Sequence, residues 1–170
     1  MNRIMIFGIS GAGKSTFALK LSRALNLPLF HVDRWFDTNH WTERPDYPEL
    51  LLETVGQDHW ITDGNGINFL QARYARADIV LYFRPPRWRC LWRMFKRWLY
   101  DKDPDLQDRA PQCPELIRWK LIHYIWTLDR RLQPTIKSLQ EQYPHVPFRL
   151  ITSEKEALAV FHEITKEPAG

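Results

Sequence analysis

A glycine-rich segment near the start of the chain has the residue types and spacing that bind phosphate. Residues 8–16 read Gly-Ile-Ser-Gly-Ala-Gly-Lys-Ser-Thr and fit the pattern G-x-x-x-x-G-K-[ST]. The glycines permit backbone angles that let successive N–H groups point at an anion beside a helix N-terminus. Lys14 is then expected to reach the β- and γ-phosphates of a nucleotide, and the Ser15 hydroxyl to face Mg²⁺. The predicted phosphate-binding residues are Gly8, Ser10, Gly11, Ala12, Gly13, Lys14, Ser15 and Thr16.

Two carboxylates follow apolar, strand-like segments and are candidates for catalysis or metal binding. Asp33 follows the segment 29–32, and Asp63 follows the segment 59–62. Asp33 could hold a water on Mg²⁺ or accept a proton from a substrate hydroxyl, and its alternative role is a turn or helix cap. Asp63 is predicted to face the metal, with an ordinary Asp-Gly turn as the alternative. His31 is better explained as a packed strand residue than as a catalytic one.

A strongly basic segment follows the fourth strand-like run. Three of its arginines recur at i, i+4 and i+8, share one helix face and repel each other unless an anion compensates them. Guanidinium groups stabilise the charge on a phosphoryl group during transfer. A solvated cationic face and a contact surface for a nucleic-acid backbone are the alternatives. The cations are Arg84, Arg87, Arg89, Arg93, Lys96 and Arg97.

Alternating strand and helix patterns must position these residues. Strands are predicted at 3–7, 29–32, 59–62, 79–83 and 148–151, and helices at 13–25, 48–57, 87–99, from 115 onward and at 153–164, with a short helix carrying Leu70, Arg73 and Tyr74. This alternation predicts a parallel sheet with helices on both faces and a ligand site at the carboxyl ends of the strands. Pro134 is expected to kink or interrupt the long helix.

The segment 101–114 is rich in Asp and Pro and is predicted to be a loop that acts as a lid and excludes water. The helices on either side of it carry several tryptophans. We expect these rings to pack between the two helices, with stacking on a nucleic-acid base as the alternative. The rings are Trp88, Trp92, Trp98, Trp119 and Trp126.

Composition restricts the class of protein. A chain of 170 residues with 44% hydrophobic residues predicts one globular domain over 1–170. The net charge of +4 favours an anionic partner, for which a nucleotide would suffice. No stretch approaches the length of a membrane span and no secretory signal is evident, so a cytoplasmic protein without membrane attachment is expected.

Taken together, these pieces resemble the small nucleoside-monophosphate-kinase group of P-loop proteins, which includes adenylate and shikimate kinases. The chain resembles more closely the adenylate-kinase-related proteins known as DNA topology modulation proteins. The narrower parts of the resemblance are Arg-Trp-x-Cys-Leu-Trp-Arg and Cys-Pro-Glu. The matching segments are 3–6, 8–16, 31–33, 60–65, 87–93 and 113–115.

The resemblance implies a three-layer α/β/α fold with a five-stranded parallel sheet in the order 2-3-1-4-5 and a lid-like helical insert. It also implies ATP or GTP with Mg²⁺, and it places Arg93 at the hinge of the lid and Arg130 on the far side of the lid. The chain departs from adenylate kinase after Asp63, where Asp-Gly-Phe-Pro-Arg is replaced by Asp-Gly-Asn-Gly and the next arginine is Arg73. This departure argues against AMP as the phosphoryl acceptor.

The sequence therefore predicts a Mg²⁺-dependent enzyme that moves the γ-phosphoryl group of ATP to a small acceptor. Its predicted catalytic residues are Lys14, Asp33, Arg93 and Arg130, and its predicted metal-side residues are Ser15 and Asp63. A nucleotide-dependent protein that binds DNA and regulates its topology is one alternative, and a simple nucleoside triphosphatase is another. The acceptor is left open between nucleotides, sugars and other metabolites.

Overall fold

A parallel sheet lies at the centre of the computed structural model, which describes residues 1–37, 42–43, 45–99 and 119–166. Its strands, in chain order, are β1 (Arg3–Gly8), β2 (Leu29–His31), β3 (Phe36–Asp37), β4 (Thr42–Glu43), β5 (Trp60–Asp63), β6 (Ile79–Phe83) and β7 (Phe148–Ile151). Five of them form one sheet in the order β2-β5-β1-β6-β7, and every pair in it is parallel. This arrangement confirms the predicted order 2-3-1-4-5. The short strands β3 and β4 pair antiparallel in a separate hairpin that the sequence patterns did not predict.

Helices cover both faces of this sheet. They are α1 (Lys14–Leu25), α2 (Tyr47–Gly56), α3 (Leu70–Arg76), α4 (Arg87–Leu99), α5 (Trp119–Gln142) and α6 (Glu154–Lys166). One hydrophobic cluster joins the sheet to α1, α4 and α6, and a second joins it to α2, α3 and α5. The fold is therefore the predicted three-layer α/β/α arrangement.

The central strand β1 supplies side chains to both clusters because successive residues of a strand point to opposite faces. Ile4 and Ile6 belong to the first cluster, whereas Met5 and Phe7 belong to the second. All four are at most 1% exposed. A strand buried on both faces cannot slide without exposing apolar surface, so the end of β1 is held firmly in place.

The long helix α5 continues through Pro134, so this proline does not interrupt the helix, and the predicted kink stays a prediction. Pro134 is exposed, whereas residues before and after it are buried against the sheet. A proline inside a helix costs about 3 kcal/mol. We attribute the continuity of the helix to its buried anchors, which are Leu128, Leu132, Ile136 and Leu139.

The predicted packing of tryptophans between α4 and α5 is wrong for Trp88 and Trp92, which are 64% and 61% exposed. The reason is the rotation of α4, which turns Cys90 into the core. Trp88 and Trp92 each lie two residues from Cys90, which corresponds to about 200° around the helix. Both rings therefore point away from the sheet. Trp126 is 56% exposed, and its ring centroid lies 5.2 Å from the guanidinium carbon of Arg87 in α4.

Parts of three predictions fall outside the described residues. They are the lid-like segment 101–114, the side chains of Trp98 and Trp119, and the side chain of Arg97 in the basic segment. Among the residues that are described, no helix is both long enough and apolar enough to cross a membrane.

Candidate active site

The glycine-rich loop follows the end of β1 and leads into α1. Gly8, Gly11 and Gly13 have φ values of +136°, +77° and +88°, which other residues rarely adopt. At the start of the loop the Ile9 N–H donates a hydrogen bond of 3.0 Å to the carbonyl of Phe83 in β6. At its end, Gly13 directly precedes the first residue of α1. The loop amides therefore lie at the positive end of a helix dipole, as the sequence pattern predicts for an anion site.

Gly8 is required by close contact as well as by its backbone angle. A Cβ atom at this position would lie 2.1 Å from the carbonyl oxygen of Phe83. We expect Gly8→Ala to lower the free energy of unfolding by about 2 kcal/mol or more, because β1 and β6 would have to separate. Chemical denaturation measures this change.

Gly56→Ala is the matched control for that prediction. Gly56 ends α2, and a Cβ added there would meet no atom within 4 Å. The control should change the free energy of unfolding by less than about 0.5 kcal/mol. Equal stability of the two variants would contradict the argument from close contact.

Lys14 is the first residue of α1, and its ammonium group is held inside the loop. The residue is 8% exposed, and Nζ donates a hydrogen bond of 3.0 Å to the carbonyl of Ile9. The Ile9 carbonyl also accepts the Ala12 N–H at 3.2 Å, so the loop is curled around one oxygen. Ser15 follows in the first turn and is partly buried, whereas Thr16 is exposed.

Asp33 lies in a 3₁₀ turn, Val32–Trp35, directly after β2. Its Oδ1 accepts the backbone N–H of Asn65 at 3.1 Å. A Cβ on Gly64 would lie 2.8 Å from the Asp33 carboxyl carbon, so the carboxylate rests against the backbone of this segment. Desolvation by surrounding protein atoms raises the pKa of Asp33, an effect that the positive charge of Lys14 opposes. Asp33 nevertheless remains accessible to solvent.

Asp63 ends β5 and is 3% exposed. Its Oδ2 lies 3.2 Å from Nδ1 of His31, the residue opposite it in the register of β2 and β5. His31 therefore does more than pack within a strand. The second oxygen, Oδ1, is buried and has no hydrogen-bond partner among the described residues. A buried carboxylate oxygen without a partner is unfavourable unless a ligand group satisfies it.

Arg73 is a site residue that the sequence analysis did not identify. It is fully buried, and its guanidinium donates to the carbonyls of Gly64 at 2.9 Å, Asn65 at 2.5 Å and Gly66 at 3.4 Å. Burial lowers the pKa of this guanidinium. Because these bonds occupy Arg73, it does not serve as the missing acceptor-binding arginine. The glycines on either side of Asn65 could have pointed to Arg73 in the sequence. They indicate a tight turn whose carbonyls need hydrogen-bond donors.

Arg93 reaches the loop from α4. Its Nη1 donates to the carbonyl of Ala12 at 3.2 Å, and its Nη2 pairs with Glu154 at the start of α6. Arg130 is placed differently: it is exposed on α5 and forms no hydrogen bond or ion pair with another described residue. The structure therefore joins Arg93 to the loop by a hydrogen bond, whereas Arg130 makes no such bond to a described residue.

Acidic residues compensate part of the basic segment. Nη atoms of Arg84 and Arg87 lie 3.4 Å and 3.9 Å from Oδ2 of Asp129 on α5. The other oxygen of Asp129 accepts the Tyr82 hydroxyl at 2.9 Å. The surroundings lower the pKa of Asp129 despite its partial burial, through hydrogen bonds from Gln133 and Tyr82 and the charge of Arg84. These contacts reduce the number of free cations available to an external anion.

Comparison with solved structures places this arrangement in the class of small P-loop kinase folds. Shikimate kinase from Acinetobacter baumannii, in complex with shikimate, superposes with a TM-score of 0.62 at 16% identity, covering 100% of this chain and 96% of that one. Shikimate kinase from Bacteroides thetaiotaomicron gives 0.57 at 16% identity, with 97% and 96% covered. A gluconokinase from Sinorhizobium meliloti 1021 gives 0.55 at 12% identity, with 97% and 94% covered.

At these identities the likeness concerns the fold. No protein-family profile matches the chain, and comparison with curated proteins finds no match. The broader resemblance to P-loop kinases is thus confirmed for the architecture. The narrower resemblance to DNA topology modulation proteins stays a prediction.

Proposed function

We propose that this protein is a P-loop phosphotransferase that moves the γ-phosphoryl group of ATP, or of GTP, to a hydroxyl group of a small acceptor. The observation that carries the proposal is the convergence of the loop and a carboxylate at one edge of the sheet. The loop holds the buried Lys14 ammonium. Asp33 is close enough for this positive charge to oppose the rise in the pKa of its carboxyl group. Phosphoryl transfer to a hydroxyl group requires at least a phosphate-binding loop with an accessible carboxylate beside it.

In the proposed reaction the loop amides and Lys14 bind the triphosphate. The acceptor oxygen forms a bond to the γ-phosphorus as the bond from that phosphorus to the β-phosphate oxygen breaks, leaving the nucleoside diphosphate. Asp33 accepts the proton of the acceptor hydroxyl. A raised pKa suits this role because it makes the carboxylate a stronger base near neutral pH.

The side chains near the loop also fit Mg²⁺. Magnesium in such sites is held by one or two carboxylates together with substrate phosphates, so a complete protein cage is not needed. No cluster of three or more potential ligands occurs among the described residues, but Asp63 offers a buried oxygen without a partner and Ser15 lies in the first turn of α1. When bound, the ion would neutralise charge on the β- and γ-phosphates.

Arg93 is proposed to stabilise charge on the transferred group. Its Nη1 donates to the neutral carbonyl of Ala12, which a phosphate oxygen would outcompete because a charged acceptor gives the stronger bond, while its Nη2 pairs with Glu154. Arg130 is proposed to join the site from α5. This second assignment rests on the resemblance to the kinase group alone.

A screen of acceptors tests the proposed function. The wild-type protein is mixed with ATP, Mg²⁺ and each of a set of polyols, sugars, nucleosides and nucleoside monophosphates, and release of ADP is measured above the acceptor-free rate. We expect at least one hydroxyl compound to raise the rate and to gain one phosphoryl group by mass spectrometry. If ADP is released at a measurable rate that no compound raises, the result favours a simple nucleoside triphosphatase over the proposed kinase.

DNA binding is the second candidate, and the outer surface of α4 favours it. Arg89 and Lys96 are exposed beside the exposed rings of Trp88 and Trp92, a combination of cations and aromatic faces that suits nucleic acid. A salt titration of duplex binding decides this case. Tight binding with a steep salt dependence, lost in Arg89→Ala/Lys96→Ala, would support DNA as a partner, whereas weak binding would leave the kinase proposal ahead.

A further inference from the structure

Asn65 makes hydrogen bonds in three directions from a nearly buried position. It is 7% exposed, and its side-chain Oδ1 accepts the backbone N–H of Gly8 at 3.0 Å. Its own backbone N–H donates to Oδ1 of Asp33 at 3.1 Å. Its carbonyl accepts Nη2 of Arg73 at 2.5 Å. One residue therefore contacts both the start of the phosphate loop and the proposed proton acceptor.

The order of the strands explains why such a link is needed. Strand β5 lies between β2 and β1, so the residues that follow β2 do not pair with the residues that follow β1. Gly8 ends β1, and Asp33 follows β2. Asn65 follows the intervening strand and spans the gap to each side. This contact joins the two halves of the site directly, in addition to the strands below them.

The local backbone is built to hold Asn65 in this position. Gly64 and Gly66 have φ values of +126° and +38°, so the chain turns sharply on both sides of it. The guanidinium of Arg73 donates hydrogen bonds to the three successive carbonyls of this turn. These bonds oppose rotation of the peptide planes. A buried, clamped turn loses little further freedom when a substrate binds, and this is the property that a positioning element requires.

We propose that Asn65 is a positioning residue that locks the phosphate loop to the Asp33 carboxylate, so that the bound triphosphate and the acceptor hydroxyl stay aligned. The inference rests on the proposed phosphotransfer at this site. Asn65 itself need not touch either substrate. Its side-chain oxygen is the critical atom, because it accepts the N–H of Gly8 at the start of the loop.

Two substitutions that keep the approximate size of the side chain test the role of its oxygen separately from the role of its shape. Asn65→Leu removes the acceptor for the Gly8 N–H, whereas Asn65→Asp keeps an oxygen in the same place. Asn65→Ala removes the oxygen without a branched side chain and replaces the Leu variant if thermal unfolding shows that variant to be unfolded. Asn68→Leu, at an exposed position three residues along the chain, is the control.

Three measurements are compared across these variants: hydrogen exchange of the Gly8 amide, affinity for Mg-ATP, and acceptor-dependent turnover. In Asn65→Leu we expect Gly8 exchange to accelerate about tenfold or more, because a buried N–H loses its partner. We expect kcat for transfer to fall about thirtyfold to a hundredfold, with less than about a fivefold change in ATP affinity, since misplaced reactants lose rate rather than binding. Asn65→Asp should restore most of the exchange protection, because an oxygen again accepts the Gly8 N–H, whereas its added charge beside Asp33 can still lower turnover.

Each outcome has a distinct meaning. Exchange and turnover in Asn65→Leu that match those of Asn68→Leu would overturn the inference, and so would an Asp variant whose Gly8 amide exchanges as fast as in the Leu variant. A variant that loses ATP affinity as strongly as turnover would show that Asn65 serves the loop alone. If wild-type protein binds ATP but phosphorylates no acceptor, the proposed function fails, and the exchange rates alone then decide whether Asn65 locks the loop.

Discussion

Replacing Lys14 with Ala is expected to lower acceptor-dependent turnover about a thousandfold or more while leaving the fold intact. The ammonium group is the cation held within the loop, and a preorganised charge aimed at a transferring phosphoryl group is typically worth two to three powers of ten or more. The structural cost should be small, because the substitution removes one hydrogen bond, to the Ile9 carbonyl, worth about 1 kcal/mol. Steady-state kinetics and thermal unfolding measure the two effects.

Lys20→Ala is the matched control for the Lys14 variant. Lys20 lies on the same helix but is exposed, so its loss removes the same formal charge away from the loop. Turnover in this control should stay within about twofold of wild type. If Lys14→Ala retains normal turnover, the loop does not act on a triphosphate, and the proposed function is wrong.

Asp33→Asn is expected to lower phosphoryl transfer about a hundredfold to ten-thousandfold, the usual contribution of a general base. The amide keeps an oxygen that can accept the Asn65 N–H, so the turn should persist while the proton acceptor is lost. Affinity for Mg-ATP should change much less than kcat, since Asp33 is proposed to act on the acceptor. Single-turnover kinetics with a competent acceptor and equilibrium binding of nucleotide distinguish these quantities.

The pH dependence of the wild-type protein gives a second test of Asp33. Desolvation raises the pKa of this carboxyl above its ordinary value of 3.8. Its protonated, inactive form therefore persists to a higher pH than for an ordinary aspartate. We expect kcat/KM to fall as the pH is lowered through this raised pKa, and Asp33→Asn to lose that limb of the profile.

Asp58→Asn controls for the loss of a carboxylate elsewhere. Asp58 is exposed and precedes β5, at the edge of the sheet opposite the loop. Its replacement should leave both turnover and the pH profile unchanged. A profile for Asp33→Asn that still shows the wild-type acidic limb would assign that limb to another group and contradict the role proposed for Asp33.

Features that depend on residues close together in the sequence could be predicted from it. Apolar runs between helical segments indicated the strands of the parallel sheet, and β6 lies at the predicted residues. The glycine pattern located the phosphate loop because each glycine is required by the local backbone. The order of the strands came from the resemblance to the kinase group and not from periodicity, since no periodic pattern encodes which strands are neighbours.

Local sequence patterns by themselves determined the five strands of the parallel sheet, the helix after the loop and the residues that can bind phosphate, because short-range backbone geometry decides these features. The tertiary structure alone decided the partners of those residues. Asn65 meets Gly8 across 57 positions, and Arg93 meets Ala12 across 81. It also decided that Arg73 binds carbonyls, that Asp63 faces His31 and that Trp88 is exposed. Such contacts follow from which strands lie side by side and how each helix is rotated on the sheet, and both depend on the packing of the whole chain.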